Sequence, residues 1–152
     1  MSELTHLDFL IHFNLFLIQF ARSDNSAADA AANWALDNGS FFDIRLEEVV
    51  KFLHCLSQSN AQGLGFLFSF DGAARGNPGA ASYGVCGWWS CFKQDMFMPE
   101  GLMIQKGSRL GTGTNNCAEA MGIASAVKTS LRLVFWVVEQ LSQLALHPLM
   151  RE

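Results

Sequence analysis

Charge is scarce in this chain. Only 16% of its 152 residues are Asp, Glu, Lys or Arg, while half are hydrophobic. That balance excludes intrinsic disorder, which needs few apolar residues and much charge. Basic residues are scarcer still, ten against fourteen acidic ones, for a net charge of -4. Phosphate affinity comes from clustered Lys and Arg, so a broad nucleic-acid-binding surface is excluded and any such contact must be local. The four cysteines (Cys55, Cys86, Cys91, Cys117) form no CxxC pair and have no histidine at ligand spacing, which argues against zinc and for buried thiols in a reducing compartment. Long apolar runs are lacking too. Phe9 to Ala21 is interrupted by His12, Asn14 and Gln19 and falls short of the about 20 residues a membrane span needs, and Glu3 and Asp8 stand where a signal peptide would be basic. No repeat, heptad or low-complexity tract is present. The expectation is one intracellular domain, nuclear or cytoplasmic, with a core large enough to need no staples and no membrane association.

What is there alternates strand-like and helix-like stretches. "LFLIQF" (Leu15–Phe20) is a short continuous apolar run, the pattern of a strand buried on both faces. "AADAAANWAL" (Ala27–Leu36) consists of strong helix formers, with Ser23 to Ser26 available as caps and Asn38-Gly39 as the stop. Asp43–Gln58 puts Ile44, Val50, Leu53 and Cys55 or Leu56 at roughly helical spacing behind an acidic first turn, which predicts a second, linking helix. After the polar joint "SNAQGLG", Phe66–Phe70 reads as a strand ending at Asp71 and turning at Gly76–Gly79. "ASYGVCGWWSCF" and "GLMIQKGSRL" read as two further strands joined through "KQDMFMPE", and the three together predict an antiparallel meander. Over Thr112–Lys128 the period changes to that of a helix, with Ala118, Met121, Ile123, Ala124 and Val127 on its inner face and Thr114 to Asn116 as caps. "LRLVFWVV" (Leu131–Val138) is β-branched and aromatic and predicts a fourth strand of the same sheet, lying between Phe66–Phe70 and Leu15–Phe20. "LSQLALHPLM" starts a last helix.

Three carboxylates stand at informative places. Asp71 follows a buried strand and precedes Gly72, where a backbone can approach a ligand closely. Glu119 lies one turn into the helix opened by Asn115 and Asn116, near the positive end of its dipole. Asp29 lies early in the alanine-rich helix. Singly, each is a turn or capping residue; it is the combination that points elsewhere. His6, His12, His54 and His147 show no metal or triad spacing. Trp88 and Trp89 could stack bases, but neighbours on a strand face opposite ways, so at least one belongs to the core. "GTGTNN" lacks the Lys-Ser/Thr ending of a phosphate-binding loop.

"DGAARGNPGAASYG", followed about forty residues later by "TNNCAE", resembles the ribonuclease H family, type-1 class, where a strand-borne D-G, a G-N-P-G turn and a helix-opening N-N-x-x-E occur in that order. The resemblance covers roughly residues 65–130. "ARSDNSAADAAANWAL" is similar to the segment that closes the usual domain of that family, so the order is inverted. Residues 1–40 would then be the family's last strand and helix, 41–64 a helical linker, and 65–152 its first three strands, first helix and fourth strand, together one domain.

The resemblance implies an α/β fold with a mixed five-stranded sheet and flanking helices in permuted order. It implies two Mg²⁺ (or Mn²⁺) ions that activate water for hydrolysis of the RNA strand of an RNA–DNA hybrid. Asp71 would bridge the ions, Glu119 would ligate one and Asp29 the other. Asn77, Asn115, Asn116 and the backbone at Gly72 match positions that contact the RNA strand, where the 2′-hydroxyl separates RNA from DNA. The sequence departs from the family at the fourth strand, where G-D-S-x-L is usual and Gln140-Leu141-Ser142 stands in register. Leucine cannot bind Mg²⁺; on an extended strand Glu139 would share its face and substitute in part. The alternatives to an enzyme are a non-catalytic module of the same ancestry, such as a retroelement-derived fragment binding nucleic acid, and a junction of two incomplete domains.

Overall fold

A computed structural model describes residues 25–58, 63–93 and 96–146. Along the chain these form α1 (Ser26–Asn38), β1 (Phe41–Ile44), α2 (Leu46–Gln58), β2 (Leu64–Gly76), β3 (Gly79–Lys93), β4 (Met96–Gly113) and α3 (Asn115–Leu146). The class is α/β: three helices and one four-stranded antiparallel sheet among the described residues, in the order β1-β4-β3-β2. The expected strand at Leu15–Phe20 lies outside the described residues.

The meander forms as the turn chemistry predicts. β2 and β3 pair from Leu64↔Cys91 to Gly76↔Gly79, closing on the two residues Asn77 and Pro78, with Gly76 at φ +91° where a side chain would be strained. β2 is longer than Phe66–Phe70, so Asp71 sits inside a strand rather than at its end. β3 continues into β4, whose far edge carries β1 in the register Phe41↔Gly107 to Ile44↔Ile104. β1 occupies residues assigned from sequence to the linker and the start of its helix. Four residues, two of them aromatic, are too few to show a period but enough to complete an edge.

α1 stops where Asn38-Gly39 predicts: Gly39 takes φ +106° and its N–H donates to the Ala35 carbonyl at 2.9 Å. Its inner face is Ala28, Ala31, Ala32, Ala35 and Leu36, small enough to bring the helix close to the sheet. Arg109 of β4 reinforces the same end by donating to the carbonyl of Leu36 at 2.7 Å, an acceptor a helix terminus otherwise leaves open, and to that of Ala35 at 3.2 Å. α2 buries the expected Leu56 together with Val49 and Phe52, each one position before an expected residue, and leaves Val50 exposed. These side chains join Trp89, Met103, Ile104 and Val137 in the largest core cluster, where full burial of Phe52 contributes about 1.5–3 kcal/mol. Trp89 is therefore the core member of the tryptophan pair, and its indole N–H donates to Glu48 at 3.1 Å.

The main correction concerns Leu131–Val138. These residues are helical: α3 runs unbroken from Asn115 to Leu146. Its buried positions (Ala118, Gly122, Ser125, Ala126, Ser130, Val134, Val137) keep helical spacing through the whole β-prone stretch, and no Gly or Pro between Lys128 and Leu146 interrupts it. Packing of Val134 and Val137 against the sheet overrides a β propensity that is only a weak prior. The inner face also differs from expectation near the start, with Met121 and Ile123 exposed. Over Asn115–Gln140 this helix is long and apolar enough to cross a membrane by length and composition, yet one of its faces packs on the sheet.

Candidate functional site

β2 places Asp71, and the register decides what surrounds it. Asp71 pairs with Gly84 and Gly72 with Tyr83. Neighbouring residues of a strand point to opposite faces, so Asp71 shares a face with Gly84, and Gly72 shares the other with Tyr83. A Cβ at Gly84 would collide with the Ala28 carbonyl and stand 2.6 Å from the Ala32 nitrogen, so α1 lies directly on the first face. A Cβ at Gly72 would stand 2.5 Å from the Glu119 nitrogen and 2.9 Å from the Ala118 Cβ, so the second turn of α3 lies directly on the other. Two helices thus cover neighbouring points of the β2–β3 pair from opposite faces, α1 at Gly84 of β3 and α3 at Gly72 of β2.

Both helices are held there by their beginnings. Asn25 precedes α1, but its side chain makes no cap bond. It donates instead to the Phe70 carbonyl at 2.8 Å, tying the start of α1 to the residue before Asp71. The start of α3 is capped as its sequence predicts: Thr114 Oγ1 accepts the Cys117 N–H at 3.2 Å, and the Thr114 carbonyl accepts the Ala118 N–H at 3.1 Å. Asp29 thus lies in the first turn of the helix tied to Phe70, and Glu119 in the second turn of the helix that covers Gly72, on the face of the sheet opposite the Asp71 side chain.

The carboxylates are already hydrogen-bonded. Asp71 Oδ1 accepts the Gly72 N–H at 2.8 Å, Asp29 Oδ1 accepts from Asn33 at 3.2 Å, and Glu119 Oε1 accepts from Asn115 at 2.9 Å. Glu119 is exposed, while Asp29 and Asp71 are half-buried. An all-oxygen donor set drawn from three elements suits a hard cation such as Mg²⁺ in kind. In spacing it falls short: among the described residues no three Asp, Glu, His or Cys groups stand close enough together to hold an ion. No family model, curated protein or solved structure matches this chain.

The remaining expected residues divide. Gly72 adjoins Asp71 in β2, and Asn115 and Asn116 open α3, where Asn115 donates to Glu119. Asn77 occupies the exposed tip of the β2–β3 hairpin, six residues and about 20 Å along the strand from Asp71, so it is a separate contact point. Glu139 and Leu141, expected beside Asp71 on a fourth strand, lie on α3 instead, 20 and 22 residues beyond Glu119, which is about 30 and 33 Å along a helix. Neither belongs to this site, and the proposed substitution of Glu139 for the missing carboxylate fails with the strand. Asn25 is the positioning residue that sequence reasoning passed over: it was one of four possible caps, and only the fold gives its amide a carbonyl across the chain.

Proposed function

We propose that this chain is a ribonuclease H-like protein, type-1 class, that binds an RNA–DNA hybrid and hydrolyses its RNA strand, with Asp71, Glu119 and Asp29 as its site. One arrangement supports the reading: α1 lies over Gly84, the β3 partner of Asp71, and α3 lies over Gly72, so the helices that carry Asp29 and Glu119 both start against the part of the sheet that carries Asp71. The group this reading implies is a pair of Mg²⁺ or Mn²⁺ ions, which when bound supply an activated water and counter-charge for the leaving oxygen. The chain's own contribution is to hold the three acids on rigid elements and to offer Gly72, Asn115 and Asn116 beside them for the RNA 2′-hydroxyls. Asn77, at the hairpin tip, meets the substrate further along.

A second reading, a non-catalytic module of the same type that binds nucleic acid, is favoured by two observations. Residues 131–138 are helical, which leaves no strand of theirs beside β2, and no three metal-binding side chains gather among the described residues. Cleavage of a labelled hybrid with Mg²⁺ or Mn²⁺ separates the readings when run on the wild type, Asp71→Asn, Asp29→Asn and Glu119→Gln beside a binding assay. The enzyme reading expects cleavage that Asp71→Asn reduces at least about 100-fold, with the other two losses not additive because ligands of one centre act together. Hybrid binding without cleavage establishes the module. Cleavage by Asp71→Asn at the wild-type rate removes the site.

A further inference from the structure

The second half of α3 exposes side chains that its packing on the sheet does not account for. Phe135 is 68% exposed, Leu131 42% and Trp136 37%. Arg132, Phe135, Trp136 and Glu139 are all exposed and stand at i, i+3, i+4 and i+7, one face of a helix, with exposed Lys128 and Gln143 continuing that face in either direction. Arg132 and Glu139 take part in no ion pair among the described residues.

We propose that this face is an interface between two copies of the chain, in which α3 packs antiparallel against α3 of a second copy. The occupant follows from the order of charges. A two-fold axis crossing the helix between Phe135 and Trp136 relates position 132 to 139 and position 135 to 136. Each Arg132 then meets the Glu139 of the other copy, and each Phe135 meets the other Trp136. Lys128 falls opposite Gln143, so no like charges are opposed. A parallel arrangement would instead set Arg132 against Arg132 and Glu139 against Glu139. The antiparallel pair has an aromatic centre bounded by two opposite-charge pairs, the anatomy of a specific interface. A bilayer fits this face less well, because Lys128, Arg132 and Glu139 would enter it together with the aromatics.

Sedimentation equilibrium of the full chain over a range of concentrations tests the proposal. The expected result is a mass of twice 16.7 kDa at high concentration, with Phe135→Glu dissociating the pair. Arg132→Glu and Glu139→Arg each weaken association about tenfold, and the double exchange restores it because opposite charges face each other again. These side chains are exposed, so circular dichroism and the melting temperature of each variant's monomer stay those of the wild type; rescue by the double exchange also distinguishes a lost contact from a lost fold. A chain that stays monomeric at all concentrations overturns the proposal. So does a dimer that the single charge changes leave intact, or a monomer that sediments with phosphatidylcholine vesicles through Phe135.

Discussion

Replacing Gly72 by alanine adds one methyl group at the point where α3 touches β2. The new Cβ would stand 2.5 Å from the Glu119 nitrogen, 2.8 Å from the Ala118 carbonyl carbon and 2.9 Å from the Ala118 Cβ. Unstrained contacts of this kind lie at about 3.5 Å or more, so the helix must retreat by about 1 Å. Two of the three obstructing atoms are backbone in a capped helical turn, and no rotamer change relieves them. Overpacking of this type costs about 1–3 kcal/mol. The same retreat displaces Glu119 relative to β2, and on the proposed function a displacement of about 1 Å costs on the order of 100-fold in rate. The proper control is Gly113→Ala, whose Cβ meets only the Ala81 Cβ at an ordinary 3.4 Å and whose cost should stay within about 0.5 kcal/mol. Urea unfolding of both variants, with hybrid binding and cleavage measured beside it, gives the comparison. If Gly72→Ala is as stable as Gly113→Ala, α3 does not lie on β2 as described, and the placement of Glu119 against Gly72 goes with it.

Asn25→Ala removes the bond to the Phe70 carbonyl and should cost about 0.5–1.5 kcal/mol in urea unfolding, with faster hydrogen exchange in the first turn of α1. Leu141→Asp should leave Mg²⁺ affinity unchanged by calorimetry, because position 141 is about 33 Å along α3 from Glu119; a tighter ion would mean that residue 141 reaches the site after all. Burial pushes the Cys86 thiol up from 9.0 to about 11. Between those values the unfolded chain has lost this proton while the folded one retains it, so stability is full below pH 9 and falls as pH rises toward 11, by at most about 2–3 kcal/mol. Cys86→Ala should flatten that part of the stability profile measured at pH 8 and pH 10.5.

Local chemistry made part of this fold legible. Gly76-Asn77-Pro78-Gly79 and Asn38-Gly39 mark a turn and a helix stop through backbone preferences that hold in any context, and both stand where they were expected. Leu131–Val138 was not legible, because an apolar run of eight residues suits a buried strand and a buried helix segment alike. What separates them is the continuity of buried positions from Ala118 to Val137, and that appears only when the whole stretch is read on one helical period. The inner face of α2 slipped for a related reason: Val49 and Val50 are chemically identical, and only the sheet beneath distinguishes them. Asp71, Gly72, Glu119 and Asp29 could be singled out from their motifs, but not the packing that sets α1 and α3 against the sheet. The glycines that admit the helices and the amide of Asn25 acquire their roles from residues 45 or more positions away.

The helical state of residues 131–138 bears on the site and the surface together. As a strand, the segment would have buried Leu131, Phe135 and Trp136 in the sheet and carried position 141 toward Asp71. As a helix, it carries position 141 away from Asp71 and turns Phe135 and Trp136 to solvent. Exposed aromatic side chains grouped on one helix face call for a cover. The two proposals are therefore separable by one pair of variants. Phe135→Glu should abolish dimerisation while hybrid binding persists, since the substitution lies 16 residues, about 24 Å along α3, from Glu119. Asp71→Asn should abolish cleavage of the hybrid while dimerisation persists. If Phe135→Glu abolished both, the hybrid site would have to be built across the two copies, and the pairing of α3 would be a condition of function rather than a feature beside it.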